Sequence, residues 1–267
     1  MRLESIAKAI RKDIIRMLAE AGSGHSAGSL GMADVFAALY FKVLNHNPKK
    51  PDMADRDRLV LSNGHICPVW YATLARAGYF PVDELMTLRK MGSRLQGHPH
   101  MGELPGVENS GGPLGQGISF ACGVALGAKM DDKKFRVYFV MGDGEINEGQ
   151  AWEAFMFAAK NKLDNLTGIL DRNRIQIDGN TEEVMPLDPV DDKFRSFGWN
   201  VVEIDGNNMD EVVKALNTRA KGRPTAIIAN TVPGKGVSFM EHKAEWHGKA
   251  PSAEQAQQAL LELEGRK

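Results

Sequence analysis

Residues 136–179 constrain the fold of this chain more than any other stretch. They begin with a continuous apolar run, residues 137–141, which is typical of a strand buried on both faces of a parallel sheet. The run ends at Gly142-Asp143-Gly144, where glycine permits a tight turn and a close approach of the backbone to a ligand. The pattern then predicts a helix with one face formed by Trp152, Phe155, Met156 and Ala159. A second apolar strand, residues 167–170, leads into Asp171-Arg172-Asn173.

Asp143 and Asn173 therefore follow two successive strands of the predicted sheet. Ligands of open α/β sheets bind beyond the carboxyl ends of the strands, so we expect both side chains at one edge. A carboxylate, an amide oxygen and a main-chain carbonyl from the next loop form a partial cage for a hard cation such as Mg²⁺ or Ca²⁺. Oxygens of a phosphate or of water would complete it. A plain turn with a loop asparagine is the simpler interpretation, which the flanking strand and helix disfavour.

Composition sets the broad class. A chain of 267 residues with 43% hydrophobic content can form one α/β domain over residues 1–267. The net charge of −1 predicts no nucleic-acid partner, and the sequence has no apolar run long enough for a membrane span. Cys67 and Cys122 are far apart and form no CxxC pattern, which favours a reducing cytoplasmic location with both as small core residues.

The rest of the chain alternates helical and strand patterns. Helices are predicted over residues 3–21, 32–44, 118–130 and 210–220, and strands over residues 57–61, 199–204 and 225–230. Residues 91–117 are rich in glycine and proline, and long loops of this kind are usually functional. Ser252 with Gln255 predicts a capping box at the start of a last helix.

Four of the seven histidines stand beside glycines in loops: His25, His65, His98 and His247. An isolated loop histidine is usually solvated, but adjacent glycines suit a backbone packed around a ligand. The other histidines, His46, His100 and His242, are expected at the surface. Glu148 is explained most simply by a favourable interaction with a helix N-terminus, and Lys235 as a solvated loop lysine.

Several motifs resemble those of one enzyme family. The Gly142-Asp143-Gly144 turn, its helix and the strand-end Asn173 resemble the diphosphate-binding motif of thiamine diphosphate enzymes. Four further segments resemble a transketolase amino-terminal domain in chain order, and residues 246–248 continue the match: residues 23–28, 61–65, 96–99 and 112–119. The resemblance covers nearly the whole chain. It implies a doubly wound, mostly parallel α/β sheet with helices on both faces.

The resemblance also implies a cofactor site. It would bind thiamine diphosphate with Mg²⁺, or with Ca²⁺ or Mn²⁺ instead, through Asp143, Asn173 and the main-chain oxygen of Ile175 as metal ligands. The implied cofactor-binding positions are His65, Gly112, Pro113, Leu114, Asp143, Gly144, Glu148, Asn173, Lys235 and His247.

Catalytic roles are implied for the four glycine-flanked histidines and Glu148. In the resemblance, His25 and His247 assist proton removal from the donor ketose hydroxyl at C3, and His98 holds the terminal hydroxyl. His65 reaches both the diphosphate and the substrate. Glu148 lies at a subunit interface, against the glutamate that protonates the aminopyrimidine of the cofactor.

Transketolases are much longer, and no segment here resembles their pyrimidine-binding domain. We therefore expect a split transketolase in which this subunit pairs with a carboxy-terminal subunit, two copies of each, with a cloned fragment as the alternative. The reaction would move a two-carbon ketol unit from a ketose or ketose phosphate to an aldose or aldose phosphate, with unusual or sulfonated sugars left open. The competing hypotheses are a 1-deoxyxylulose-5-phosphate synthase-like enzyme, which shares the turn, and a non-catalytic cofactor-binding scaffold.

Overall fold

A five-stranded parallel sheet forms the centre of the computed structural model, which describes residues 2–266. The strand order is β1-β2-β3-β7-β6, and all four pairings are parallel. The strands are β1 (Arg58–Leu61), β2 (Val137–Gly142), β3 (Leu166–Arg172), β6 (Asn200–Asp205) and β7 (Thr225–Asn230). β3 is buried along its whole length, and β2 and β7 are buried at all but their last residue, as parallel strands covered on both faces must be.

Helices cover both faces of this sheet. The helices are α1 (Leu3–Ala21), α2 (Ala27–Gly31), α3 (Ala33–Ala38), α4 (Cys67–Ala77), α5 (Gln116–Met130), α6 (Gly149–Lys160), α7 (Thr181–Val184), α8 (Val190–Ser196), α9 (Met209–Leu216) and α10 (Ala253–Glu264). One apolar core layer includes residues of α1, α3, α4, α9 and α10, and the other includes residues of α5, α6 and α8. The predicted doubly wound, mostly parallel α/β fold is confirmed.

Short elements surround the carboxyl ends of β2 and β3. A 3₁₀ turn, Gly144–Asn147, separates β2 from α6. An antiparallel hairpin of β4 (Ile175–Gln176) and β5 (Gly179–Asn180) follows β3 almost at once. α1 ends at Gly22, whose left-handed φ of 64° turns the chain and whose N–H closes the helix on Leu18 and Ala19. This turn leads into the His25 loop.

Four sequence predictions differ from the structure, one of them the helix over residues 210–220, which ends at Leu216. The helix predicted over residues 32–44 is instead the short α3 followed by a π-helical turn, Leu39–Val43. Met156 does not share the buried face of α6: it is 54% exposed, because the helix turns Ala154, Phe155 and Ala158 toward the sheet. His46 is half-buried rather than a surface residue, stacked on Tyr79.

Other expectations agree closely. α1 and β7 have the predicted bounds, and the capping box at Ser252 and Gln255 is present. Both cysteines are buried and free. Within residues 2–266, no helix has the length and apolar content needed to cross a membrane.

Candidate active site

A pocket lies where β2 and β3 end. The two strands are parallel neighbours, with Gly142 paired to Asp171, so the turn after β2 and the residues after β3 meet at one edge. The pocket has a volume of about 360 Å³. Ten of the residues predicted from the sequence line it: His25, His65, His98, Gly112, Leu114, Asp143, Gly144, Asn173, Ile175 and His247.

Three predicted site residues do not line this pocket: Pro113, Glu148 and Lys235. Pro113 is exposed, although its neighbours Gly112 and Leu114 line the pocket. Glu148 is exposed at the start of α6, and Lys235 is half-buried in the loop that follows β7. Any contact of Glu148 with a cofactor would therefore be made outside the space that this chain encloses.

Asp143 is held by three donors. One carboxylate oxygen, Oδ1, accepts from the Gly144 N–H at 2.9 Å. The other, Oδ2, accepts from the Arg174 N–H at 2.7 Å and from the Arg172 guanidinium at 3.2 Å. Burial raises the pKa of Asp143 to about 6 although these donors favour the charged form. A bound divalent cation would restore full ionisation of this carboxylate.

Asn173 is equally constrained. Its Oδ1 accepts from the Ile175 N–H at 3.0 Å, and its Nδ2 donates to Asp171 at 2.8 Å. Asp171 also accepts a hydrogen bond from Thr231, and burial raises the pKa of Asp171 to about 7. These contacts fix the orientation of the amide at the edge of the pocket.

The donor set suits a cation that brings its own ligand. Within residues 2–266, no group of three or more His, Cys, Asp or Glu side chains could hold a metal by itself. One carboxylate, one amide and one main-chain carbonyl are hard oxygen ligands, and Mg²⁺ usually combines one or two such carboxylates with phosphate oxygens and waters. The residues present therefore fit a cation bound together with a diphosphate.

Buried polar atoms without partners support the same conclusion. Among the described residues, both amide atoms of Asn63, the Nδ1 of His25 and the Nε2 of Gln176 are buried without a hydrogen bond. All three residues line the pocket. An unsatisfied buried polar atom costs about 1–3 kcal/mol, so such a cluster indicates a place for a polar ligand. The sequence motif that contains Asn63 gave this residue no role of its own.

Three histidines form a cluster in the pocket. The ring centroid of His25 lies 4.9 Å from that of His65 and 5.7 Å from that of His247, and those of His65 and His247 are 5.2 Å apart. Burial, with His247 and Arg89 nearby, lowers the pKa of His25 to about 4. Burial also lowers the pKa of His65 and of His247, so all three rings are neutral near pH 7 and can accept a proton.

Glu145 joins three loops of the site, a role that no sequence motif indicated. Its carboxylate accepts from the Ser62 hydroxyl at 2.5 Å, the Gly115 N–H at 2.7 Å and the Gly142 N–H at 3.0 Å. The side chain is buried, and burial raises the pKa of Glu145. The only available signal was a carboxylate directly after the glycine turn.

Glycine allows the same loops to touch. A Cβ on Gly117 would lie 2.6 Å from the Cα of Ser62, and one on Gly64 would lie 3.0 Å from the Cα of Gly111. Side chains at these positions would separate the loop after β1 from the loop before α5. The pocket wall therefore requires glycine at both places.

Comparison with known proteins identifies the family. Residues 3–263 match the family model described as the thiamine diphosphate binding domain of transketolase. The chain belongs to the transketolase family. It is 46% identical over 264 residues to the 6-deoxy-6-sulfo-D-fructose transketolase subunit SqwG of Clostridium sp. (strain MSTE9), covering 98% of this chain and 96% of that protein. It is 42% identical to one subunit of the apulose-4-phosphate transketolase of Phocaeicola vulgatus, covering 96% of this chain and 92% of that protein.

Solved transketolase structures share the fold. The Leishmania mexicana enzyme aligns with a TM-score of 0.93 at 33% identity, over 100% of this chain and 42% of that chain. The Campylobacter jejuni enzyme gives a TM-score of 0.92 at 33% identity, over 99% and 43%. This transketolase chain therefore spans about two-fifths of the solved enzymes but nearly all of the separate subunits. It corresponds to the amino-terminal, thiamine diphosphate-binding subunit of a split transketolase, as its motifs indicated.

Proposed function

We propose that this chain, acting as one domain, combines with a separate carboxy-terminal subunit to move a two-carbon ketol unit from a ketose to an aldose. The observation that carries this proposal is the pocket itself. It brings neutral His25, His65 and His247 together with Asp143 and its neighbours at one edge of the sheet. A scaffold without activity would need the cation site but not the histidines.

Thiamine diphosphate would be held by its diphosphate through a divalent cation, for which we propose Mg²⁺. The ligands from this chain are Asp143, Asn173 and the main-chain oxygen of Ile175. Their support is their oxygen chemistry and their shared place in the pocket. The orphaned amide of Asn63 lines the same pocket and can bond the same ligand.

The bound cofactor supplies the nucleophile and the electron sink for breaking a carbon–carbon bond next to a carbonyl. The chain supplies proton transfer and orientation. His25 and His247 are neutral, so either imidazole can accept a proton from the donor hydroxyl and return it. His98 lines the pocket outside the three-histidine cluster, which suits contact with the terminal hydroxyl of the donor. His65 lies beside both His25 and His247, which suits contact with cofactor and substrate.

The donor and the acceptor are proposed only by class. One relative is named for a sulfonated ketose and two others for a ketose phosphate. Because these donors differ while identity stays between 42% and 46%, we propose a ketose and an aldose that carry an anionic group, without choosing between phosphate and sulfonate.

Exposed apolar side chains on α5 and α6 support the proposal that a partner subunit binds here. Phe120 of α5 and Met156 and Phe157 of α6 are 41%, 54% and 42% exposed. Leu114, 36% exposed, lines the pocket near the start of α5, so exposed apolar side chains extend into the site. We propose that the carboxy-terminal subunit covers this surface, contacts the exposed Glu148 and completes a heterotetramer with two copies of each subunit.

A cytoplasmic location is part of the proposal. It is supported by the two cysteines, both buried and free. Burial raises the pKa of Cys67 and that of Cys122 to about 12, so both thiols stay protonated and unreactive.

The test uses the full chain and its carboxy-terminal partner. Neither protein by itself should transfer ketol units, and the mixture should do so with thiamine diphosphate and Mg²⁺. Asp143→Ala should abolish Mg²⁺-dependent cofactor binding measured by calorimetry, while Asp191→Ala on the outer helix α8 should not. Turnover by the isolated chain, or normal binding by Asp143→Ala, would contradict the proposal.

A further inference from the structure

The buried guanidinium of Arg172 contacts Asp143, one of the proposed metal ligands. Arg172 is the last residue of β3, and its side chain is 1% exposed. One terminal nitrogen, Nη1, donates to Asp143 at 3.2 Å and to the Thr181 hydroxyl at 3.0 Å. The other, Nη2, donates to Glu182 at 2.5 Å and to Asp188 at 3.0 Å. A guanidinium is buried at low cost only when it is paired in this way.

The partners of Arg172 lie in two separate places. Asp143 lines the pocket, whereas Glu182 and Asp188 are 34% and 46% exposed on the segment that follows β5. Arg172 itself does not line the pocket. It therefore connects the pocket carboxylate to an outer acidic segment without reaching a ligand.

We propose that Arg172 is a positioning residue that orients Asp143 for the cation, an inference that rests on the proposed function. Together with the Arg174 N–H, its guanidinium engages Oδ2 of Asp143. Within residues 2–266, the other oxygen, Oδ1, accepts a hydrogen bond only from the adjacent Gly144 N–H, so it is the oxygen left to ligate the cation. A planar guanidinium suits this task because it holds several acceptors in one fixed geometry.

The outer acids make a buried cation compatible with a neighbouring metal ion. A single positive charge beside a divalent cation would repel it. Glu182 and Asp188 pair with Arg172, and Asp188 also pairs with Arg174, so two negative charges balance the two guanidinium charges and offset that repulsion. The same two acids hold the second guanidinium nitrogen, which leaves the first for Asp143 and Thr181.

The test measures the Mg²⁺ affinity of the full chain assembled with its carboxy-terminal partner, by calorimetry at a fixed excess of thiamine diphosphate. Arg172→Met should weaken Mg²⁺ binding by about 10- to 100-fold, the usual effect of removing a partner that orients a metal ligand. Arg172→Lys should give an intermediate loss, because an ammonium cannot span Asp143 and the outer acids together.

Arg174→Gln is the matched control. The Arg174 side chain also pairs with Asp188, at 3.0 Å, but only its main chain contacts Asp143. This variant should keep the wild-type Mg²⁺ affinity. Thermal unfolding without ligand, recorded for each variant, separates lost stability from lost affinity, and Arg172→Lys decides the matter if Arg172→Met does not fold.

These measurements separate the positioning role of Arg172 from the proposed function of the site. Wild-type Mg²⁺ affinity in folded Arg172→Met and Arg172→Lys would overturn the positioning role and leave the proposed function intact. Equal losses in Arg172→Met and Arg174→Gln would also overturn it, since the effect would then belong to Asp188. No Mg²⁺-dependent cofactor binding by the wild-type assembly would overturn the cation site, and the role of Arg172 with it.

Discussion

His25 illustrates how one side chain acquires a function from its surroundings. Its ring centroid lies 4.9 Å from that of His65 and 5.7 Å from that of His247. One ring nitrogen is buried without a hydrogen-bond partner in the part of the chain that the structure describes. Burial lowers the pKa of His25 to about 4. Near pH 7 the imidazole is therefore a neutral base with an open acceptor or donor position, which is what proton transfer from a hydroxyl requires.

Replacing His25 with alanine should affect turnover and not cofactor binding. General acid–base assistance contributes about 10²–10⁴-fold, so the rate of the assembled enzyme should fall within that range. Affinity for thiamine diphosphate, titrated on the same sample, should remain close to wild type. His242→Ala, a histidine outside the pocket, is the control. Normal turnover by His25→Ala would remove its catalytic role.

His25 should also make stability depend on pH. Its pKa is about 4 in the folded chain against 6.5 as the ordinary value, so between these values only the unfolded chain binds the proton. The free energy of unfolding therefore falls as pH decreases through that window, and above it His25 contributes nothing.

His25→Gln removes this titration and should gain stability relative to wild type as the pH is lowered. Urea unfolding of both proteins at about pH 7 and about pH 5 measures the difference. A constant difference between the two proteins at both values would show that His25 titrates normally.

At the scale of elements, the pocket is a meeting of loops that follow strands. Glu145 holds the loops after β1 and β2 against the one before α5 through Ser62, Gly142 and Gly115. A single buried carboxylate thus adds hydrogen bonds to the close backbone contacts between these loops. Each donor is a hydroxyl or N–H, so an acceptor is needed at all three.

Glu145→Gln should loosen the pocket. Its amide can still accept through one oxygen, but its NH₂ would face a backbone N–H. An unsatisfied buried donor costs about 1–3 kcal/mol, so urea unfolding should show a loss of that order. Thiamine diphosphate should also bind more weakly, as measured by titration. Glu153→Gln, at an exposed position of α6, is the control and should change neither the stability nor the cofactor affinity. Wild-type stability and affinity in Glu145→Gln would show that the loops are held together without this carboxylate.

At the scale of the whole molecule, α5 and α6 present an apolar surface that differs from an ordinary solvated face. Phe120, Met156 and Phe157 are exposed on neighbouring helices. Clustered apolar side chains of this kind typically mark protein contacts. We therefore expect these side chains to be buried against the partner subunit when the two subunits assemble.

Met156→Glu should prevent assembly without unfolding the chain. A charge at the centre of an apolar contact is costly to desolvate, while the same charge in the isolated chain stays in water. Light scattering after gel filtration of the mixed subunits should show separate species, and ketol transfer should be lost. Met91→Glu is the matched control, since Met91 is fully exposed elsewhere. Normal assembly of Met156→Glu would exclude this surface.

Most strands and helices could be predicted from the sequence because each depends on a pattern within a short stretch of the chain. Apolar runs indicated β2, β3 and β7, and periodicity with a terminal glycine indicated α1. The cation site was predicted from the rule that strand ends in a parallel sheet share an edge, and the pairing of β2 with β3 satisfies that rule. The glycine-flanked histidines were recognised by their motifs.

Glu145 and Arg172 could not be found in this way. In the sequence each is one charged residue among many, and such residues are usually solvated. The Ser62–Glu145 contact spans 83 positions, and the partners of Arg172 come from both sides of β3. Whether a charge is buried depends on acceptors or donors that remote segments bring to it. The sequence by itself determined most of the strands and helices and the family of this chain. The tertiary structure alone decided which charged side chains are buried together and shape the pocket.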